Sequence, residues 1–187
     1  MKLFRAKFSY IFVALSVAVQ ATSGVLAQTL SSQDALLAKY RCPLSDLLRQ
    51  VFEAPSAYQE RNRYLILTGP GRSADYVQCI FAANRTKLYC EASSGYYDEA
   101  MDKPRRHFPS DAVKAALGKL GFKTGNEEKN YPYERDFTGT PDFGEIATLM
   151  LSAMHDGFGA RAETPLIVHA PFAKKVSIDC KAQLDRN

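Results

Sequence analysis

The sequence has few of the residues that hold metal ions. Its three histidines, His107, His155 and His169, lie far apart, and neither an HExxH nor a CxxC motif occurs. Protein zinc and iron sites need several His, Cys or carboxylate ligands at short, characteristic spacings. We therefore predict that the chain holds no metal and needs no cofactor.

The motifs of nucleotide binding and of the common serine hydrolases are also missing. A glycine-rich loop, Gly69 to Arg72, follows a strand-like run, but no Lys-Ser or Lys-Thr pair comes after it, as a phosphate-binding loop requires. No GxSxG motif is present, so a nucleophile elbow is not predicted. The glycine-rich loop is interpreted as a turn between two strands.

The body of the chain lacks a large excess of positive charge. The 187 residues carry a formal net charge of +4, and Lys2, Arg5 and Lys7 supply three of these charges near the start. Binding to nucleic acid depends on clustered Lys and Arg side chains. A nucleic acid partner is therefore not predicted for the nearly neutral remainder.

The apolar run near the start is too short to span a membrane as a helix, which needs about 20 apolar residues. The basic start is followed by an apolar stretch, Ile11 to Val19, and by Val25-Leu26-Ala27, the order of features in a secretory signal peptide. We predict cleavage between Ala27 and Gln28, no membrane span afterwards, and a periplasmic or secreted location. An uncleaved anchor is the alternative.

The cysteines number four, and an even number in an exported chain predicts disulfides. Of three pairings we favour Cys42 with Cys180, near the two ends of the mature fold, and Cys79 with Cys90 across a hairpin. A two-residue hairpin loop would make Cys79 and Cys90 a hydrogen-bonded pair, with Cα atoms about 5.5 Å apart, which suits a bridge less well. The alternative is that the cysteines are buried thiols packed as small hydrophobic side chains.

The central stretch, Tyr76 to Tyr97, predicts a β-hairpin whose loop is Asn84-Arg85. Its cross-strand pairs fall on two faces. One face is apolar and needs a helix to cover it, and the other is mixed and half exposed. The pairs are Phe81 with Leu88, Cys79 with Cys90 and Val77 with Ala92 on the first face, and Ile80 with Tyr89 and Gln78 with Glu91 on the second.

The flanking segments predict further strands and three helices. Tyr64 to Thr68 extends the hairpin to a three-stranded meander, and Asn130 to Phe137 is an edge strand because Pro132 cannot donate to a ladder. Pro165 to Phe172 could add another strand. The first helix carries an apolar stripe from Leu44 to Phe52 and follows an interruption at Pro43. The second is capped by Ser110, with Gly121 beyond its end. The third opens at Thr140-Pro141-Asp142 and ends at Gly157.

We therefore predict an α+β fold, with an antiparallel sheet made of a β-meander plus one or two further strands and with helices packed on one face. The predicted organisation is a signal peptide at residues 1–27, an N-terminal helical segment at 28–41 and a single α+β domain at 42–187.

Several short motifs carry a resemblance to a known family. They are Tyr76-Val77-Gln78, Leu88 to Ala92, Leu117 to Phe122, Asn130 to Arg135, and Gly159 with Pro165-Leu166. In this order they resemble the TY-Chap N-terminal domain family, which groups type III secretion chaperone-like domains with YbjN-type regulators. The resemblance implies a curved antiparallel sheet with helices on one side, used as a protein-binding or chaperone-like module without a catalytic site. The LGW-x-x-P pattern of that family reads Leu120 to Gly125 here, without Trp and Pro.

The tyrosines near the strand ends indicate where a protein partner could bind, because Tyr is apolar along its length and polar at its tip. The predicted contacts are Tyr89, Tyr96, Tyr97, Tyr131 and Tyr133, and a half-buried sheet rim is the alternative. The first hypothesis is an exported, non-enzymatic protein-binding or chaperone-like domain. The second is a small periplasmic hydrolase with an acid/His site made of Glu91, His155 and Asp156.

Overall fold

The computed structural model describes residues 30–55, 62–69, 72, 74–98, 108–125 and 129–173. The predicted signal peptide, its cleavage site at Ala27 and Gln28, and Cys180 with its predicted bond to Cys42 lie outside this part of the chain. None of the described helices combines the length and the apolar character needed to cross a membrane.

The described residues form an α+β fold, as predicted, with helices against one face of a five-stranded antiparallel sheet. The strand order is β4-β3-β2-β1-β5. The edge position of β4 is confirmed, and β5 extends the meander on the other side. The elements are α1 (Ser32–Glu53), β1 (Tyr64–Thr68), β2 (Tyr76–Ala82), β3 (Lys87–Ala92), α2 (Asp111–Lys119), β4 (Tyr131–Asp136), α3 (Phe143–Phe158) and β5 (Ile167–His169).

The hairpin of β2 and β3 has the predicted side-chain register, and its five predicted cross-strand pairs all occur. Its loop is longer than predicted, because β2 ends at Ala82 and β3 begins at Lys87. Ala83, Asn84 and Arg85 all have positive φ angles, of 49°, 54° and 67°. The loop therefore contains one left-handed residue more than a two-residue turn needs.

This longer loop changes which pairs are hydrogen bonded. The N–H of Phe81 donates to Arg63 O, on the β1 side, at 3.1 Å. Successive residues of a strand direct their N–H groups to opposite neighbours. Cys79, two residues before Phe81, therefore also faces β1 and forms a non-hydrogen-bonded pair with Cys90. The two Cα atoms are 4.0 Å apart and the side chains form a disulfide. The predicted pairing is confirmed, and the expected hydrogen-bonded geometry is wrong.

The first helix does not stop at Pro43, which contradicts the predicted interruption. A proline inside a helix removes one backbone hydrogen bond and crowds the preceding turn. Apolar side chains on both sides of Pro43 nevertheless pack into the same core, and their burial favours one continuous helix. The buried ones are Leu36, Leu44, Leu48, Val51 and Phe52. The predicted boundary between residues 41 and 42 therefore lies inside α1.

The other two helices differ from the predictions mainly at their ends. Ser110 caps α2 as predicted and accepts a hydrogen bond from Val113 N. The cap of α3 is Asp142, not Thr140, because its carboxylate accepts from the N–H groups of two residues in the first turn, at 2.7 and 3.1 Å. This helix ends one residue beyond Gly157, and the left-handed Gly159, with φ 71°, closes it.

The core lies between the two long helices and one face of the sheet, here called the inner face. Phe52 of α1 contacts the rings of Phe81 of β2 and Phe143 of α3, with centroids 5.2 and 5.5 Å apart. Leu65, Val77 and other inward residues of the strands belong to the same buried cluster. The inner face of the sheet is thus covered by helices, as the apolar face of the hairpin predicted.

Candidate functional site

The opposite face of the sheet, here called the open face, has no helix over it among the described elements. Its side chains alternate along β1, β2 and β3 with those of the core and are half-buried. They include apolar, aromatic and charged groups. Members of the open face are Tyr64, Ile66, Tyr76, Gln78, Ile80, Lys87, Tyr89, Glu91, Pro132 and Glu134.

A hydrogen-bonded network lies at one end of the open face, around Glu91. One carboxylate oxygen accepts from Gln78 Nε2 at 2.7 Å and from Asn130 Nδ2 at 2.8 Å. The other accepts from the hydroxyl of Tyr89 at 3.3 Å. Three neutral donors already occupy acceptor positions of this carboxylate, which leaves fewer of its lone pairs for a further ligand.

Asn130 joins three parts of the chain at this network. Its Nδ2 group also donates to the Tyr76 hydroxyl at 2.6 Å, and its Oδ1 accepts from Ser94 N at 3.3 Å. The side chain is buried, and each of its polar atoms is bonded. Asn130 therefore holds the start of β4, the end of β3 and the start of β2 in one arrangement.

The network raises the pKa values of two tyrosines. The pKa of the Tyr89 phenol lies above its ordinary value, first because of burial and then because of the nearby Glu91 carboxylate. The pKa of Tyr76 is also raised, mainly by burial, although the hydrogen bond from Asn130 acts in the opposite direction. Both phenols are therefore neutral at physiological pH and keep their hydrogen-bonding protons.

A cavity of about 410 Å³ opens beside this network. Tyr89, Tyr97 and Pro132 supply apolar walls, and Lys123 and Lys129 bring two positive charges. Neither lysine forms an ion pair with another described residue. The cavity thus combines aromatic surface with positive charge, and its volume lies within the range of about 300–1,000 Å³ found for ligand sites.

The five tyrosines predicted as partner contacts are divided between the two faces. Tyr89 and Tyr97 line the cavity, and the ring of Tyr96 packs edge-on against Tyr97 with centroids 5.1 Å apart. Tyr131 is completely buried on the inner face, which is incompatible with a partner contact. Tyr133 also turns inward and packs on Phe122, with centroids 5.7 Å apart. β4 pairs with β3 in a register that directs both side chains towards the helices.

The predicted acid/His group of the hydrolase hypothesis is not brought together. Glu91 lies on the open face, whereas His155 and Asp156 lie at the end of α3, on the helix side of the sheet. His155 instead contacts Ser32 at the start of α1. The other histidine in the described residues, His169, lies near Tyr64, with Nε2 and the hydroxyl oxygen 3.1 Å apart.

The sequence interpretation missed Asn130, Lys123 and Lys129 as members of a site. Each lies in a polar stretch between elements, where isolated Asn and Lys residues are common. Asn130 immediately before a tyrosine-rich edge strand was the available signal, but only the fold brings it to Glu91. Within the described residues, no group of three His, Cys, Asp or Glu side chains is arranged to hold a metal ion.

Comparisons with protein-family models, with curated proteins and with solved structures gave no match to this chain. The resemblance to the TY-Chap N-terminal domain family therefore stays a prediction.

Proposed function

We propose that the chain is an exported protein-binding domain, and that the cavity beside Glu91 binds an acidic segment of another protein that carries an aromatic side chain. The observation that supports this most directly is the composition of the cavity. Tyr89 and Tyr97 offer aromatic surface, and Lys123 and Lys129 offer positive charge, on a face without a described helix. Aromatic residues are typical of the contact regions of proteins.

The charge of the cavity favours an acidic segment over a basic one. The carboxylate of Glu91 already accepts three hydrogen bonds, whereas the two lysines are exposed. An acidic side chain of the partner would pair with these ammonium groups without displacing an ion pair between described residues. The free energy of such exposed pairs is modest, about 0.2–1 kcal/mol each, so the aromatic contact supplies the larger share.

The open face is a better docking surface than the neighbouring edge of the sheet. Pro132 has no N–H to offer at the edge of β4, and its carbonyl already accepts from Lys123 N at 2.8 Å. Glu134 and Asp136 place charges beside the remaining backbone groups, and Lys87 lies within 3.5 and 4.0 Å of them. Proline and charge are the usual means by which an edge strand avoids further pairing.

The proposed export rests on two independent features. The Cys79–Cys90 disulfide is typical of proteins that work in oxidising compartments, and the first 27 residues read as a secretory signal. The proposed location is the periplasm or the exterior of a bacterial cell.

Binding of two labelled peptides tests the proposal. A fluorescein-labelled peptide with a Phe-Asp-Asp centre is expected to bind, and a matched peptide with a Phe-Lys-Lys centre is not. Lys129→Glu should lower the affinity for the acidic peptide by about tenfold, equivalent to about 1.4 kcal/mol. Lys39→Glu, the same charge change on α1, should leave this affinity unchanged. Equal binding of both peptides, or equal losses in both variants, would overturn the proposed specificity.

A second experiment looks for the natural partner. A photo-crosslinking amino acid replaces Tyr97 at the cavity or, as a control, the exposed Ala115 on α2. We expect one protein of the envelope extract to be captured from position 97 only, and the acidic peptide to compete with it. Capture of the same proteins from both positions would contradict a specific site on the open face.

A further inference from the structure

Three side chains where α1 meets the end of α3 form a continuous hydrogen-bonded chain. Ser32 Oγ lies 2.8 Å from His155 Nε2, and His155 Nδ1 lies 2.6 Å from Asp156 Oδ1. Ser32 is the first residue of α1, and the other two lie in the last turn of α3. These residues are on the helix side of the sheet, away from the cavity of the open face.

The chemistry of the three groups fixes the direction of the hydrogen bonds. An ionised carboxylate can only accept, so Asp156 takes a hydrogen bond from Nδ1–H of His155. The other nitrogen of a neutral imidazole is then an acceptor, and it faces the hydroxyl of Ser32. Ser32 therefore donates its proton towards His155 Nε2, which is the arrangement that activates a serine nucleophile.

Contacts around the three side chains fix their relative positions. The amide of Gln33 donates to Ser152 Oγ at 3.0 Å and thereby ties the first turn of α1 to α3. The carbonyl of His155 accepts from Gly159 N at 3.1 Å, in the left-handed cap of α3. Ser32 and His155 thus lie on two helices that are packed together, which is how a reactive geometry is kept without substrate.

The start of α1 also offers donors for a developing negative charge. Ser31 Oγ accepts from Asp34 N at 3.1 Å, and Ser31 O accepts from Ala35 N at 3.0 Å. The N–H groups of Ser32 and Gln33 belong to the first turn, where a helix provides no internal acceptor and carries a partial positive charge. An oxyanion hole at Ser32 would draw its donors from these two N–H groups.

We propose that Ser32, His155 and Asp156 form a second site that hydrolyses carboxylic esters with small acyl groups. Ser32 Oγ attacks the carbonyl carbon while its proton moves to His155 Nε2. The tetrahedral intermediate collapses, the C–O bond to the alcohol breaks, and the alcohol takes the proton from His155. Water, deprotonated by His155, then attacks the acyl group on Ser32, and the acid leaves as Ser32 regains a proton.

The surroundings of the site indicate small substrates. Ser32 is exposed, and the side chains of His155 and Asp156 keep 14% and 32% of their accessible surface. Neither Ser32 nor His155 lines the cavity beside Glu91. Water and a short ester can reach the exposed hydroxyl of Ser32.

The experiment uses p-nitrophenyl acetate as substrate and a fluorophosphonate as a covalent label for the full chain. We expect hydrolysis above the rate of buffer and labelling at Ser32, located by fragmentation of the labelled peptide. Ser32→Ala should abolish labelling and lower kcat/KM by about a hundredfold, as expected when a nucleophile is lost from a weakly preorganised site. The control Ser45→Ala, at a half-buried serine on the same helix, should leave both unchanged.

Variants of the other two residues separate a chemical role from a structural one. His155→Gln can still accept a hydrogen bond from Ser32 but cannot shuttle the proton, so it should lose labelling while its thermal unfolding stays close to that of the parent chain. Asp156 is a positioning residue, and Asp156→Asn should lower kcat by about tenfold or more with KM unchanged.

Two results would overturn the proposed site. One is hydrolysis no faster than in buffer together with no fluorophosphonate label, which would leave Ser32 and His155 with a structural role only. The other is full labelling that persists in Ser32→Ala. Neither result bears on the proposed binding of acidic segments, because that site uses Tyr97, Lys123 and Lys129 on the opposite face.

Discussion

Asn130 Nδ2 donates a 2.8 Å hydrogen bond to Glu91 Oε1, and this bond joins the chain before β4 to the middle of the sheet. Because Asn130 also bonds Tyr76 and Ser94, it fixes the floor of the cavity on the open face. The arrangement of the proposed binding site therefore depends on a residue that does not itself need to touch a partner.

Asn130→Ala should destabilise the protein and loosen this cavity. The change leaves Ser94 N without a described partner and removes the hydrogen bonds from Asn130 to Glu91 Oε1 and to the Tyr76 hydroxyl. A buried polar group left unsatisfied costs about 1–3 kcal/mol. We expect urea unfolding to show a loss of about 2–3 kcal/mol. Affinity for the acidic peptide should fall as well. Unfolding at an unchanged urea midpoint would contradict the central position given to Asn130.

The pKa of the Tyr89 phenol should depend on Glu91. Its pKa is raised first by burial and second by the Glu91 carboxylate, with Glu134 making a smaller contribution. Glu91→Gln should therefore lower the pKa of Tyr89 part of the way to its ordinary value, and Glu134→Gln should lower it less. NMR of Tyr labelled at ¹³Cζ, assigned with Tyr89→Phe, measures both shifts. Equal shifts in the two variants would be inconsistent with the geometry.

The same raised pKa makes stability depend on alkaline pH. The folded protein holds the proton of Tyr89 more tightly than the unfolded chain does, whose pKa is about 10. This contribution to stability is complete below that pKa and is lost as the pH rises through the folded value. In Glu91→Gln the loss should be smaller over the same interval.

The Cys79–Cys90 disulfide should contribute substantially to stability. It closes a loop between residues with a sequence separation of 11, and constraining an unfolded chain by such a loop is worth about 2–3 kcal/mol. A double Cys79→Ala, Cys90→Ala variant should lose this amount in urea unfolding. The double variant is preferable to a reductant, whose action is not restricted to this bond. An unchanged midpoint would show that the bond constrains little.

Gly121 should not tolerate a side chain. Its φ angle is +94°, and an added Cβ would lie 3.1 Å from the ring of Tyr133. Gly121→Ala is expected to cost about 1–3 kcal/mol, because a residue other than glycine is strained in this region. Gly125→Ala is the matched control, since an added Cβ there meets nothing within 4 Å. Similar melting temperatures for the two variants would contradict this explanation.

The period of two along the hairpin and the position of its turn together predicted its register. The alignment centred on Asn84-Arg85 places Val77, Cys79 and Phe81 on the same face as Leu88 and Cys90, and a slip of one residue would expose them all. Which of the cross-strand pairs are hydrogen bonded could not be predicted in the same way. It depends on the conformation of Ala83, whose positive φ has no strong signal in the sequence.

The two proposed sites were harder to predict because each is assembled from distant positions. Lys123 and Lys129 belong to one polar loop, while Tyr89 and Glu91 belong to β3. Ser32 and His155 are separated by 123 positions and meet only because α1 packs against α3. The continuous helix through Pro43 was also hard to predict from local sequence. The burial of residues on both sides of Pro43 outweighs the local preference against a helix.

The most direct test of the proposed function is the location of the bound peptide on the folded protein. In ¹⁵N-labelled protein, adding the Phe-Asp-Asp peptide should shift the amide signals of Tyr89, Tyr97, Gly125 and Lys129, which surround the cavity. The amides of Ala115 and Ser45, on α2 and α1, should not move. Shifts that cluster on the helices instead, or no shifts at saturating peptide, would contradict a binding site on the open face.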